Sequence, residues 1–296
     1  VVAAVVLSGC ALSLPPGGEG TGAYAPHVVR VVAAEDFWGS IVAQVGGVHA
    51  HVDSVIATPE TDPHTYEPTA ADARRLADAQ VAVYNGAGYD PWMPRLLAAD
   101  GGSRTVLDVA ALVGVVPGGN PHLWYSPEVV SHVVTTSTAD LIAADPTDRA
   151  YFQDRADQFV RVDLSGYHAA LASLRSRFAG TPVAASESIV VYLCRAVGLD
   201  LVTPPTFLRA VSEGTDPSAA DIATIDTQMR SHTVHAYLEN TQNLTPDVQA
   251  QVRLARSAGI PLVRVTETLQ PAGTTFQAWQ TAQLRSLETA LAAARG

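Results

Sequence analysis

Apolar residues along this chain gather into short runs, each followed by turn residues and then by a stretch with helical spacing. Residues 28–33 form a run apolar on both faces, which reads as a buried strand. Residues 36–45 have helical spacing and end at Gly46-Gly47. Residues 51–57 predict a second strand, Thr69 with Asp72 three positions on opens a helix, and residues 81–84 predict a third strand. The rhythm resumes at 182–185 (strand), 188–197 (helix, stopped by Gly198), 235–238 and 262–265 (strands) and 279–294 (final helix). Ser218 with Asp221 opens another helix on the way. Strands alternating with helices predict parallel sheets of the α/β class. No close sequence repeat relates the two parts, although Asp62-Pro63-His64 and Asn120-Pro121-His122 echo one another.

The middle of the chain breaks this rhythm. Ser126, Pro127 and Glu128 supply an N-cap, a first-turn proline and a first-turn acid, and the helix they open should reach Ala144 before Asp145-Pro146. A longer helix then begins near Thr147. Tyr151, Phe152, Phe159, Val162, Tyr167, Leu171 and Leu174 give it helical spacing, and no proline intervenes before Pro182. Some thirty residues at ~1.5 Å each would reach ~45 Å, enough for one stiff strut across a two-lobe molecule. The expected organisation is therefore a lobe over 27–146, a connecting helix over 147–178 and a lobe over 179–296. A length of 296 residues is long for a single core.

The start of the chain carries a different signal. Residues 1–7 are apolar but too few to span a bilayer, and resemble the apolar core of a signal peptide. Leu7-Ser8-Gly9-Cys10 follows, a pattern in which the Cys10 thiol receives a diacylglycerol. An ordinary secretory peptide with an incidental cysteine is the plainer reading. Residues 11–26, rich in Gly, Pro and Ser, read as a tether. Together these place the protein outside the cytoplasm, held to the cell membrane by lipid at Cys10. Cys194 sits in an apolar helical setting and is expected to be an inert buried thiol with no disulfide. The formal net charge of −11, with 18 basic residues that are all arginine, disfavours nucleic acid as a partner and mildly attracts cations.

Four donors stand in turns that could hold them still. His64 lies between Pro63 and Glu67-Pro68, and His122 follows Pro121 and precedes Trp124. Prolines lower the entropy of ordering a loop. Glu187 and Glu267 each follow an apolar strand, where open α/β sheets place their ligand crevice. Two imidazoles and two carboxylates suit a divalent first-row metal ion. Two donors fall in each half of the chain, so one site between two lobes is expected. Each has a bland alternative: a surface histidine for the loops, a helix N-terminal acid for Glu187, an exposed loop acid for Glu267. Glu239, ending the run Tyr237-Leu238-Glu239, is the main rival for a ligand or supporting role. His49, His51, His132, His168, His232 and His235 lack partners at useful spacing and are taken as structural or surface residues.

Asp62-Pro63-His64-Thr65-Tyr66-Glu67-Pro68-Thr69 with Asp72 resembles the first ligand loop of the metal-binding solute-binding proteins of ABC transporters, the zinc and manganese receptors of the cluster A-I type. Asn120-Pro121-His122-Leu123-Trp124 resembles their second ligand loop, where Asp more often precedes the proline. Glu187, with Tyr192 and Gly198-Leu199 downstream, is similar to the segment of the third ligand, and Pro217-Ser218 with Asp221-Ile222 to the stretch before the late helices. Thr266-Glu267 stands at the fourth ligand, usually Asp. The resemblance implies two α/β lobes joined by one long helix, metal held between them by His64, His122, Glu187 and Glu267, and delivery to a permease by a monomeric, non-enzymatic receptor.

Zinc wins on raw affinity with such donors. Many zinc-dedicated members carry His at the third ligand, and some carry a His-rich acidic loop. This chain has Glu187 and no such loop, which inclines the expectation to manganese, with iron(II) a further ion. Two readings of other kinds stand beside it: a siderophore or cofactor receptor, which would need a wide cleft lined by Arg or aromatics, and a zinc hydrolase, for which no His-Glu-x-x-His helix is present.

Overall fold

Strand β1 (Val29–Glu35) is buried at every position except Arg30. Its sequence is apolar on both faces, as a strand covered by helices on both sides requires. The computed structural model in which it lies describes residues 28–58, 61, 63 and 65–294. The apolar run 1–7, Cys10, the 11–26 segment and His64 lie outside the described residues.

Helix α1 (Asp36–Gly46) follows β1, then come β2 (Ala50–Ile56), α2 (Ala70–Asp78), β3 (Val81–Tyr84), α3 (Trp92–Asp100), β4 (Thr105–Asp108) and α4 (Val109–Leu112). All pairings are parallel, in the order β2-β1-β3-β4. The Thr69 hydroxyl accepts from Asp72 N–H while Asp72 accepts from Thr69 N–H, the reciprocal cap expected of that spacing. Helix α5 (Pro127–Ala144) starts at Ser126 and ends at Ala144 as its sequence predicts.

The second lobe repeats the plan. Strand β5 (Pro182–Ala185) comes after helices α6 (Arg149–Gln158) and α7 (Ser165–Phe178). Then follow α8 (Val191–Val197), β6 (Asp200–Leu201), α9 (Pro205–Ser212), α10 (Ala219–Arg230), β7 (Tyr237–Asn240), α11 (Pro246–Ser257), β8 (Leu262–Val265) and α12 (Phe276–Ala293). Its order, β6-β5-β7-β8, is again all parallel and matches the first sheet position for position. In both sheets the first strand has neighbours on both sides, so each lobe has a crevice where the winding reverses.

The long connecting helix forms from Arg149 to Phe178, with one departure from regular α geometry. Residues Phe159–Asp163 make a π turn, closed by Leu164 N–H donating to Phe159 O at 2.8 Å. The buried positions explain it. Phe152 and Phe159 are seven apart and buried, Phe152 edge-on to His49 of the first lobe; Leu164, Tyr167, Leu174 and Phe178 follow the turn. The step from Phe159 to Leu164 is five residues, one more than an α-helix allows on a single face, and the π turn absorbs the surplus. Val162, read from sequence as part of the apolar face, is exposed. α6 is tied to the first lobe by Arg155, which donates to Gln44 O at 2.8 and 3.1 Å, and by Tyr151 stacked on His49 at 3.9 Å. α7 lies against α12, where Ser173 donates to Glu288 at 2.6 Å and Arg177 pairs with the same carboxylate.

One apolar core runs through both lobes, from Val29 and Phe37 through Trp124 to Trp279 and Leu287. Cys194 is buried in it as a free thiol, pushed by burial up to about 12. No helix among the described residues is long and apolar enough to cross a membrane.

Candidate metal centre

The carboxyl ends of both sheets face the same cleft. His122 precedes a single helical turn at Leu123–Tyr125, whose Trp124 is fully buried and stacked on Phe37 with ring centroids 4.2 Å apart. That aromatic anchor fixes the loop. Asn85, just past β3, donates from its side chain to Pro121 O at 2.8 Å and supports the loop from below. Asn120 Oδ1 lies 2.8 Å from His122 Nδ1 and also accepts His122 N–H at 3.1 Å. An acceptor there places the ring proton on Nδ1 and leaves the Nε2 lone pair for a cation. His122 Nε2 stands 3.9 Å from Glu187 Oε2.

Glu187 follows β5 in extended conformation and is 1% exposed. Asn240 and Ser212 donate to its two oxygens, the latter at 2.8 Å. Burial, and next the charge of Glu267, push its carboxyl up to about 7. Glu267 lies two residues beyond β8. Gln242 Oε1 accepts Glu267 N–H at 2.7 Å and Thr268 N–H at 3.1 Å, which sets the loop's course. Tyr89, from the first lobe, donates to Glu267 Oε2 at 2.8 Å, and Asn240 donates to Oε1 at 2.7 Å. The Tyr89 hydroxyl is held far above its ordinary range, first by burial and then by the charge of Glu267, and so remains a donor.

His122, Glu187 and Glu267 each offer a donor atom within 4.8 Å of the other two. Among the described residues this is the group of three or more such side chains that converges closely enough to hold one ion. It opens into a cavity of about 830 Å³ between the lobes, also lined by Pro63, Thr65, Ser212 and Gln242. Three of the four residues singled out in the sequence are thus brought together. The fourth, His64, lies outside the described residues, although both its neighbours line the cavity.

Glu239 is not in the group. Alternation along β7 turns it to the face of Tyr237, where it is buried with Oε2 unpartnered, and turns Asn240 to the carboxylates. The sequence reading ended this strand at 238, two residues early, and so put Glu239 at the mouth of the crevice in place of Asn240. Asn240, Ser212 and Tyr89 were not foreseen as supports. The usable signal was the strand-end position of Asn240; for Ser212 and Tyr89 there was none, since both reach the site from distant segments.

The lobes are joined on both sides of the site. Asn120 Nδ2 donates to Ser188 O at 2.8 Å and Tyr192 to Asn120 O at 2.9 Å. On the other side, Asp36 accepts Leu269 N–H at 3.1 Å, and burial pushes its carboxyl up to about 7.

Residues 31–290 match the family model described as ZnuA, zinc-uptake complex component A, periplasmic. The high-affinity zinc uptake system protein ZnuA of Bacillus subtilis (strain 168) is 23% identical over 257 residues, 78% of this chain and 75% of that protein. The manganese-binding lipoprotein MntA of Halalkalibacterium halodurans is 25% identical over 167 residues, 54% of this chain and 53% of that protein. The chain likewise spans about half (52%) of the zinc-binding lipoprotein AdcA of Streptococcus pneumoniae R6, at 25% identity. In fold, the chain is similar to the periplasmic zinc-binding protein TroA of Treponema pallidum. The TM-score is 0.72 at 19% identity, over 89% of this chain and 99% of that one.

Proposed function

Because this chain belongs to the family of zinc-uptake complex component A proteins, we propose that it captures a divalent transition metal, zinc or manganese, outside the cytoplasm and delivers it to the permease of an ABC importer. The family's work is solute binding for transport. The observation that carries the reading is the convergence of buried His122 and Glu187 with half-buried Glu267 between two lobes. His64 is the fourth ligand in this proposal, supported by the two neighbours that line the cavity and by the Pro-His loop it shares with His122.

The donor set suits a cation that arrives bare. Two carboxylates cancel the dication's charge, and two neutral imidazoles complete a four-donor shell. The ligands' supporting hydrogen bonds come from both lobes, so binding and lobe contact are coupled. The assignment of residues 27–146 and 179–296 to the two lobes, with 147–178 between them, belongs to the same reading, as does a monomeric receptor anchored through Cys10. Relatives named as lipoproteins support the anchor. Mass spectrometry of membrane-extracted protein, with Cys10→Ala as control, tests it.

The deciding experiment is metal analysis of protein purified without chelator, paired with zinc and manganese titration of wild type, His64→Ala and His122→Ala. One ion per chain in wild type, with tight binding abolished in each variant, is the expected result. Full affinity and stoichiometry in either variant would remove that residue from the ligand set.

A further inference from the structure

We propose that the groove where the first lobe, the connecting helix and the second lobe meet is a second ligand site, which takes an amphipathic anion: a carboxylate on a short aliphatic chain. The inference stands apart from the metal-capture reading above.

The groove encloses about 780 Å³ and shares no lining residue with the metal cavity. That volume is of the size that holds small molecules. The two spaces meet the same loop at neighbouring residues: His122 lines the cavity and Leu123 lines the groove. Each of the three bodies contributes a helix. α5 supplies Val129 and His132, α7 supplies His168, Leu171 and Arg175, and α8 supplies Tyr192 and Arg195. The three α7 residues recur after three and four positions, so they share one face of that helix, with ~10 Å between its ends. Leu123, Val129, Leu171 and the loop residues Val113 and Val115 give that length an aliphatic lining, and His132 and His168 add ring N–H donors.

The charge of the groove opposes that of the chain. Two guanidiniums line it against one carboxylate, Glu128, whereas the formal net charge of the whole protein is −11. Among the described residues neither Arg175 nor Arg195 makes a hydrogen bond or ion pair, unlike Arg75, Arg155 and Arg177, whose heads are held by the protein. Burial raises the Tyr192 hydroxyl and the charge of Arg195 opposes that shift, so this guanidinium lies within electrostatic reach of the groove's tyrosine. A guanidinium fork meets a carboxylate with two parallel N–H···O bonds. A bare anion would leave the aliphatic lining wet, and a hydrocarbon would leave the arginines without an acceptor. A molecule with both parts satisfies both, its chain along α7 and its carboxylate on Arg175 and Arg195.

The test is isothermal titration of decanoate into the full chain, stripped of metal by chelator. One molecule should bind per chain, and the melting temperature should rise as decanoate is added. Decanol and inorganic phosphate, each lacking one half of the ligand, should bind more weakly by about tenfold or more. Arg175→Gln and Arg195→Gln, both at exposed positions, should each cost about tenfold. Ala172→Glu, also exposed and in the lining, should abolish binding by setting a carboxylate in the groove, with the unliganded variant melting as wild type does. No saturable binding, decanol bound as tightly as decanoate, or unchanged affinity in both arginine variants overturns the proposal. So does binding lost in His122→Ala yet kept in Ala172→Glu, which would put decanoate in the metal cavity.

Discussion

Tyr125, three residues beyond His122 in the first lobe, places its hydroxyl 2.9 Å from the carbonyl of Thr266, the residue before Glu267 in the second. That hydroxyl, shared between Thr266 O and Gln283 Oε1 at 2.8 Å, helps set the spacing between the loops that carry two of the converging donors. Tyr125→Phe keeps the packing against Trp279 and removes the hydroxyl from both acceptors. It should lower stability in urea unfolding by about 1 kcal/mol. It should also weaken metal binding by less than His122→Ala does, as measured by chelator competition.

The buried acids predict opposite pH responses for empty and loaded protein. Glu187 and Asp36 are raised to about 7 and Asp90 to about 6, in each case first by burial; Glu35 is raised well above its ordinary value. A carboxyl raised in the fold contributes stability that is fully present below its unfolded value and is lost as pH rises through its folded one. Metal-free protein should thus melt at a lower temperature at pH 8 than at pH 5.5. Metal requires Glu187 ionised, so affinity should fall by about tenfold per unit as pH drops below about 7, one proton being displaced. Melting curves across this window, with and without zinc, check both signs.

Glu239 and Glu267 separate a rival from a ligand. Glu239→Gln should leave metal affinity nearly unchanged, because β7 turns that side chain away from the site. Glu267→Gln removes a charge and a donor from the converging group and should cost well over the 10- to 100-fold typical of a supporting residue. Equal losses in the two variants, measured by isothermal titration, would refute the assignment.

Gly86 lies in the turn between Asn85 and Tyr89, with φ +74°. A Cβ there would meet Asp108 Oδ1 at 2.4 Å. Gly86→Ala combines a left-handed backbone with that collision and should cost roughly 2 kcal/mol or more. A fall in melting temperature with the metal stoichiometry retained is expected, since the turn supports the His122 loop without contacting the ion.

Much of this was legible in the sequence. Strands 81–84, 182–185 and 262–265 and the helix from Pro127 to Ala144 end where their sequences say, because caps and apolar runs are local signals. Strand β4 and helices α3, α9 and α11 were not assigned; β4 and α3 are short and have weak apolar faces. Glu187 and Glu267 were visible as acids at the ends of apolar runs, and His122 by the proline-led loop it shares in pattern with His64. The atoms that hold them were not. Ser212 reaches Glu187, Tyr89 reaches Glu267 and Asn120 reaches Ser188 across long sequence separations, and nothing local in the chain encodes such meetings.

The surplus residue in the connector has a geometric consequence. An α-helix turns about 100° per residue. Had Phe159–Asp163 wound regularly, the stretch carrying Tyr167 and Leu174 would present its apolar side roughly a quarter-turn away from α12, while Phe152 kept its seat on the first lobe. Five residues thus act as a phase shifter between two otherwise regular screws, and the angular setting of one sheet's crevice against the other is written there, remote from any donor atom.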